Sequence, residues 1–156
     1  MSAQTSRRRL LNEALNIGKE ADKDKTMFVI NQDSDNMYKW TATINGPVDS
    51  LYDGYKFDLS IDIPAEYPNK PLQIKFLTKI EHVNVNNQGD ICMDILKTEW
   101  TAAQNMRTIL ISLISLLSEP NADDPLNHDL AELYRTDKKA YCDKIKKSCI
   151  KNAKKL

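Results

Sequence analysis

Four short runs of strand-forming residues, joined by connections too short to hold a crossover helix, constrain this chain more than any other feature. They are Met27 to Ile30, Tyr38 to Ile44, Lys56 to Ile63, and Leu72 to Phe76. In the second, Tyr38, Trp40, Ala42 and Ile44 alternate with polar or small residues; in the third, Phe57, Leu59, Ile61 and Ile63 do so. The fourth follows Pro64, Pro68 and Pro71 and carries Leu72, Ile74 and Phe76. A period of two buries one face of each strand. Parallel pairing needs a crossover of a dozen or more residues, so the spacing predicts a four-stranded antiparallel meander.

Helical periodicity lies on either side of the strands. Ser6 can cap a first helix whose Leu10, Leu11, Ala14 and Leu15 share a face, ending near Gly18 and packing on the sheet. Thr101 with Gln104 has the pattern of a capping box before the apolar run Ile109 to Leu117, which predicts a central buried helix closed by Glu119 and Pro120. Asn127 can cap a short helix through Leu130, Leu133 and Tyr134. Thr136 can cap a last one through Tyr141, Ile145, Cys149 and Ala153. The order of elements implies an α+β fold with helices against one face or the ends of the sheet. With no repeat and no linker, residues 1–156 read as a single domain, long enough to build one core without disulfides or structural metal.

Charge excludes several functions. Lysine plus arginine equals aspartate plus glutamate, 22 against 22, so no long-range field draws the chain to nucleic acid or to an anionic membrane. Arg7, Arg8 and Arg9 precede no apolar run and no stretch is long enough to span a bilayer, which predicts a soluble protein. Three cysteines, an odd number without CxxC pairs, suit free thiols in a reducing compartment, cytoplasmic or nuclear. The many lysines of the last helix read as a solvated face, and Cys142 and Cys149, seven apart, as packing residues.

From Leu77 to Trp100 neither period holds, and an irregular stretch of that length inside a compact domain is usually functional. The run HVNVNNQGDICMDIL, His82 to Leu96, gathers a thiol, an imidazole, amides and carboxylates. It resembles the active-site stretch of ubiquitin-conjugating enzymes, where a His-Pro-Asn motif precedes the acceptor cysteine and a tryptophan follows it. Asn84, Cys92 and Trp100 keep the family's spacing of eight and eight. The resemblance extends to WTATINGP at Trp40 to Pro47, to Tyr67, Pro68 and Pro71, and to EPNADDPLN at Glu119 to Asn127. It thus covers nearly the whole chain.

The resemblance implies that Cys92 accepts ubiquitin as a thioester from an ATP-dependent activating enzyme and passes it to a substrate lysine or a ligase, with no cofactor or metal of its own. A thiol suits the task because thiolate attacks a thioester readily and is itself a tolerable leaving group. At an ordinary pKa of about 8.5 a few per cent is already thiolate at neutral pH. Without the family, Cys92 reads equally as a small buried apolar residue. Asn84 is the candidate oxyanion stabiliser, and equally a side chain that pins the loop through backbone hydrogen bonds. His82 matches the motif histidine, whose implied role is to hold the loop's shape. Asp124 matches the acidic residue beside the incoming lysine, read here as orienting the amine, since a carboxylate alone raises a lysine's pKa. Asp94 matches the acidic position just after the cysteine. Asp123, Asp124 and Pro125 also read as a plain turn.

Val83 stands where the family has proline, which frees φ and restores a backbone donor. Asn69 and Ala102 stand where ligase-binding relatives carry a bulky apolar residue and a proline, weakening the usual ligase footprint. Arg7, Arg8 and Arg9 lie at the helix that binds the activating enzyme in the family, or form a solvated tail. Three other readings stand beside the ubiquitin carrier. The modifier can be a ubiquitin-like protein, although the stretch from Cys92 to Trp100 lacks the insertion seen in carriers of the small ubiquitin-like modifier. The chain can be a non-catalytic binding module of the same fold. A cysteine hydrolase needs a Cys92–His82 pair, and a zinc site on His82, Cys92 and His128 lacks a fourth ligand.

Overall fold

The computed structural model describes residues 3–17 and 27–156. Its elements are α1 (Ala3–Ile17), β1 (Phe28–Gln32), β2 (Lys39–Asn45), β3 (Tyr55–Asp62), β4 (Gln73–Phe76), a 3-10 turn over Asp94–Leu96, α2 (Met106–Ser118), α3 (His128–Thr136), α4 (Lys138–Asn152) and β5 (Lys154–Lys155).

The strands pair antiparallel in chain order, β1 to β4, as the short connections require. Trp40, Ala42 and Ile44 of β2 meet Ile61, Leu59 and Phe57 of β3 directly across the ladder, and all six are buried. Fully burying side chains of this size stabilises by about 1.5–3 kcal/mol each. β1 runs past the apolar residues to Asn31 and Gln32, because their backbone still pairs with Thr41 and Trp40. Backbone pairing needs no apolar side chain, so the sequence pattern understates the strand. The fold is α+β as expected, with one addition: β5 pairs Lys154 and Lys155 with Lys56 and Tyr55 of β3, beyond the end of β4. Its two exposed lysines carry no strand signal.

α2 is the central helix. Met106, Ile109, Leu110, Leu113 and Leu117 are buried, and it lies against β2. Its cap differs from expectation. Thr101 and Gln104 form a turn, and the capping box is made by Asn105 and Thr108, each side chain taking the other's backbone N–H at 2.9 Å. Glu119 ends the helix as expected. Asn127 caps α3 by accepting from Leu130 N–H. The last helix is capped by Asp137, whose carboxylate accepts from Ala140 N–H, while Thr136 closes α3 with its hydroxyl on Glu132 O. Tyr141, Ile145 and Cys149 pack inward from α4. Burial pushes the Cys149 thiol up to about 11, consistent with a packing residue.

α1 departs most from its expected form. It starts at Ala3, so Ser6 is a buried residue inside the helix and not its cap, and Gly18 lies outside the described residues. The inward stripe is Ser6, Leu10 and Glu13, whereas Leu11 and Leu15 are exposed, at 53% and 64%. Glu13 replaces an apolar contact with three hydrogen bonds: from Tyr67 Oη at 2.5 Å, from Met106 N–H at 3.0 Å, and from Arg9 Nε at 3.2 Å. The carboxylate thereby meets an otherwise orphaned N–H in the first turn of α2 and complements its dipole. Arg9 turns inward too, donating to the carbonyls of Ala102 (2.8 Å) and Gln104 (2.6 Å). Only Arg7 and Arg8 of the three arginines stay exposed.

Candidate active site

The stretch without periodicity is shaped by hydrogen bonds. Asn86 Oδ1 accepts the N–H groups of Gln88 (3.0 Å) and Asp90 (2.9 Å), and Gly89 makes the turn with φ +87°. A Cβ at position 89 would meet the Phe76 carbonyl oxygen at 2.2 Å, so glycine is required twice over, by its backbone angle and by close approach. Past the turn Val85 bridges Ile91, and Cys92 N–H donates to Asn84 O at 2.9 Å. The chain thus doubles back to set the cysteine beside the asparagine.

His82, Val83 and Asn84 grip two distant segments. His82 Nδ1 accepts from Asn84 N–H at 3.0 Å while Nε2 donates to Leu116 O at 2.8 Å, a pairing that fixes the neutral tautomer. Burial lowers its pKa from 6.5 to about 4, against a small opposing effect from the Leu116 carbonyl. Val83 O accepts from Leu126 and Asn127 N–H, both at 2.9 Å. Asn84, fully buried, donates from Nδ2 to Asn121 O (2.8 Å) and Asp124 O (3.0 Å) and accepts Asn121 N–H on Oδ1 (2.8 Å). Hydrogen bonds to the 116–127 region hold the loop where a proline ring is absent at Val83.

This grip carries Asp124 to the cysteine. Cys92 Sγ donates to Asp124 Oδ2 at 3.2 Å, and Lys97 Nζ approaches the same sulfur at 3.3 Å. Burial raises the thiol's pKa, the hydrogen bond to Asp124 adds to the rise, and Lys97 opposes it. The sulfur raises the pKa of Lys97 in return. Carboxylate and ammonium ends both belong to exposed residues, so the trio lies where loops meet solvent.

Of the expected site residues, Cys92 and Asp124 are in contact, and Asn84 ties the backbone of the first to the loop of the second. His82 supports Asn84, and both its ring nitrogens are bound to backbone groups, so it is neither a base for Cys92 nor a free metal ligand. Asp94 is exposed, and its carbonyl accepts from Lys97 and Glu99 N–H, whereas the side chains hydrogen-bonded to the thiol among the described residues are Asp124 and Lys97. Neither hydrogen of the Asn84 amide is free in this arrangement to meet an oxyanion. Trp100 Nε1 donates to Pro68 O at 2.8 Å, which fastens the far end of the segment beside Tyr67.

Lys97 and Asn121 were missed by sequence reasoning. No periodicity links Lys97 to Cys92, because the 3-10 turn over Asp94–Leu96 brings the lysine back toward the thiol. Asn121 lies in a motif already noted, but its partner lies thirty-seven positions away.

Comparison with known proteins bears on the family and the fold. A probable ubiquitin-conjugating enzyme of Acanthamoeba polyphaga mimivirus is 42% identical over 148 residues, covering 94% of each chain. The E2 domain of a Toxoplasma gondii ubiquitin conjugating enzyme superposes with a TM-score of 0.86 at 33% identity, over 96% of this chain and 99% of that one. Residues 9–149 match the family model for ubiquitin-conjugating enzymes, a span that takes in β1 to β4, the cysteine loop and most of the last helix, and the chain belongs to that family.

Proposed function

We propose that Cys92 accepts ubiquitin as a thioester from an activating enzyme and that the chain hands it to a lysine amine or to a ligase, with Asp124 orienting the incoming amine. The observation that carries this reading is the contact of Cys92 Sγ with Asp124 Oδ2 at 3.2 Å, made across loops that Asn84 holds together. The Cys92 thiol, its pKa raised, rests mainly protonated at neutral pH. Loading is a thiol exchange: thiolate attacks the incoming thioester carbonyl, the donor's thiolate leaves, and bonds of equal kind are broken and made. Discharge replaces the C–S bond by an amide.

Asn84 and His82 act here as positioning residues. Asn84 meets an oxyanion only by giving up one of its two carbonyl partners, whereas its present bonds fix the distance between thiol and carboxylate. Asp94, exposed after the cysteine, acts on charge near the site and touches no reacting atom. Asn69 and Ala102 are both exposed and offer no apolar anchor, which favours ligases other than those that use one. Three free cysteines support a cytoplasmic or nuclear setting.

The test mixes the protein with ubiquitin, its activating enzyme and ATP and runs gels with and without added thiol. A thiol-sensitive shift by one ubiquitin, absent in Cys92→Ala, is the expected result. Lack of a shift beside an active control carrier points to another modifier or to a binding module, which activating enzymes of other modifiers then separate.

A further inference from the structure

Asp124 reaches the thiol from a loop with two anchors, and Asn84 is the first of them, holding the carbonyls of Asn121 and Asp124. The second lies three residues past Asp124, at Asn127, whose four polar groups are all bonded. Its backbone N–H donates to Val83 O at 2.9 Å and its carbonyl accepts from Ala131 N–H at 3.0 Å. Oδ1 accepts from Leu130 N–H at 3.1 Å, which caps α3. Nδ2 then donates to Glu81 Oε2 at 2.9 Å, across 46 positions of sequence.

Glu81 is placed to act as a fixed post for this bond. Its own carbonyl accepts from Tyr52 Oη at 2.6 Å, and Tyr52 is 1% exposed with its ring against Phe57 and His82. The carboxylate is half-buried and faces the first turn of α3, where negative charge is favoured. A hydrogen bond to a carboxylate is stronger than one between neutral groups, and because this one is half-buried, its loss loosens the loop without stranding a fully buried group. The Asp124 carboxylate is exposed and bonds to the sulfur, so where it stands is set by the backbone on either side of it. The charges that act on the Cys92 thiol are those of Asp124 and Lys97, and Glu81 is not among them.

We infer that Glu81 is a positioning residue for the transfer step: through Asn127 it holds the start of α3, and with it the Asp124 carboxylate, against the Cys92 sulfur. The inference rests on the carrier reading for its effect on transfer, but not for its effect on the thiol. A loop anchored at Asn84 alone brings Asp124 to the sulfur for a smaller share of the time. The incoming amine is then oriented less often. The thiol also ionises more readily, because Asp124 in contact raises its pKa.

The experiment uses the full chain and two readouts. The first is the pH profile of iodoacetamide alkylation, mapped to the Cys92 peptide, which needs no ubiquitin. The second is discharge of preformed ubiquitin thioester to free lysine. Glu81→Ala is expected to move the alkylation profile to lower pH and to slow discharge by about fivefold, as orientation is lost. Glu81→Gln keeps an oxygen that accepts from Asn127 Nδ2 and should leave both readouts as in the parent. Asn127→Asp keeps the cap but sets two carboxylates against each other, and should slow discharge like Glu81→Ala. Joined to Glu81→Gln, it reverses the hydrogen bond, with the new amide donating to the new carboxylate, and discharge should return to within about twofold of the parent. In an Asp124→Asn background Glu81→Ala should move neither readout further, since no carboxylate is left to place. Parent-like behaviour of Glu81→Ala, no recovery in the paired change, or an undiminished effect in the Asp124→Asn background overturns the inference. Absence of any thioester in the parent overturns the carrier reading, whereas the alkylation profile still decides whether Glu81 places Asp124.

Discussion

The two halves of the active-site segment use hydrogen bonds in opposite ways. Around His82, Val83 and Asn84 the bonds run to backbone groups, the side chains are 0–1% exposed, and both partners are held by the fold. Around Cys92 they run between the ends of side chains, from a buried sulfur to Oδ2 of Asp124 and Nζ of Lys97, both exposed residues. A buried polar group left without its partner costs far more than an exposed one, so the first half should carry stability and the second chemistry. The difference also explains how a motif lacking its proline keeps its shape: many fixed bonds replace one fixed φ.

Substitutions can break this division. The largest expected effect on stability is that of Asn84→Ala, which strands the Asn121 and Asp124 backbone groups and opens a cavity, a loss of roughly 4 kcal/mol. Urea unfolding measures it, and a loss within 0.5 kcal/mol would mean that the 121–124 loop is held by something else. Next is pH. The folded pKa of His82 is lowered from 6.5 to about 4, so the unfolded chain binds the proton that the folded chain refuses. The stability this supplies is complete above the unfolded value and is lost as pH falls through the folded one, about 3 kcal/mol over that window. In an NMR titration the His82 imidazole should keep its neutral-form shifts down to about pH 5.

Two smaller effects sharpen the comparison from the chemical half. Asp124→Asn should leave unfolding within about 0.5 kcal/mol of the parent, as for a surface side chain, yet slow discharge to free lysine by about tenfold through lost orientation. The same change should lower the thiol's pKa and speed alkylation of Cys92 by iodoacetamide near neutral pH, because Asp124 now raises it. Lys97→Met, the smallest, should slow that alkylation, since the ammonium now lowers the pKa. Opposite signs for these two, with stability unmoved, are what two exposed charges flanking one thiol predict. A stability loss as large as that of Asn84→Ala from either would erase the distinction between the halves.

Much of the fold was legible because its signals are local. Trp40, Ala42 and Ile44, or Phe57, Leu59 and Ile61, announce a strand within a few positions, and α2 is announced by its own apolar run. The site was legible in part. Cys92, Asn84 and Asp124 stood out by spacing and by likeness to a family, whereas whether Asn84 donates to an oxyanion or to the backbone was open until Asn121 and Asp124 appeared beside it. Helix caps were legible only where a side chain acts on its own helix with no better neighbour. Asn127 was found, but Thr101 and Thr136 were displaced by Asn105 and Asp137, each a residue or a few further along.

By itself the sequence determined the strands, their antiparallel order, the central helix and the cysteine loop, because alternation, connection length and the absence of period are properties of neighbouring residues. Tertiary structure alone decided that Glu13 would be buried while Leu11 and Leu15 stayed in water, that β5 would extend the sheet, and that Lys97 and Asp124 would meet at one sulfur. Glu13 answers to Tyr67 and Met106, 54 and 93 positions away, and Asp124 to Cys92 across 32. A polar group's burial is favourable only once its partner is in place, and no local pattern says which distant residue that partner will be.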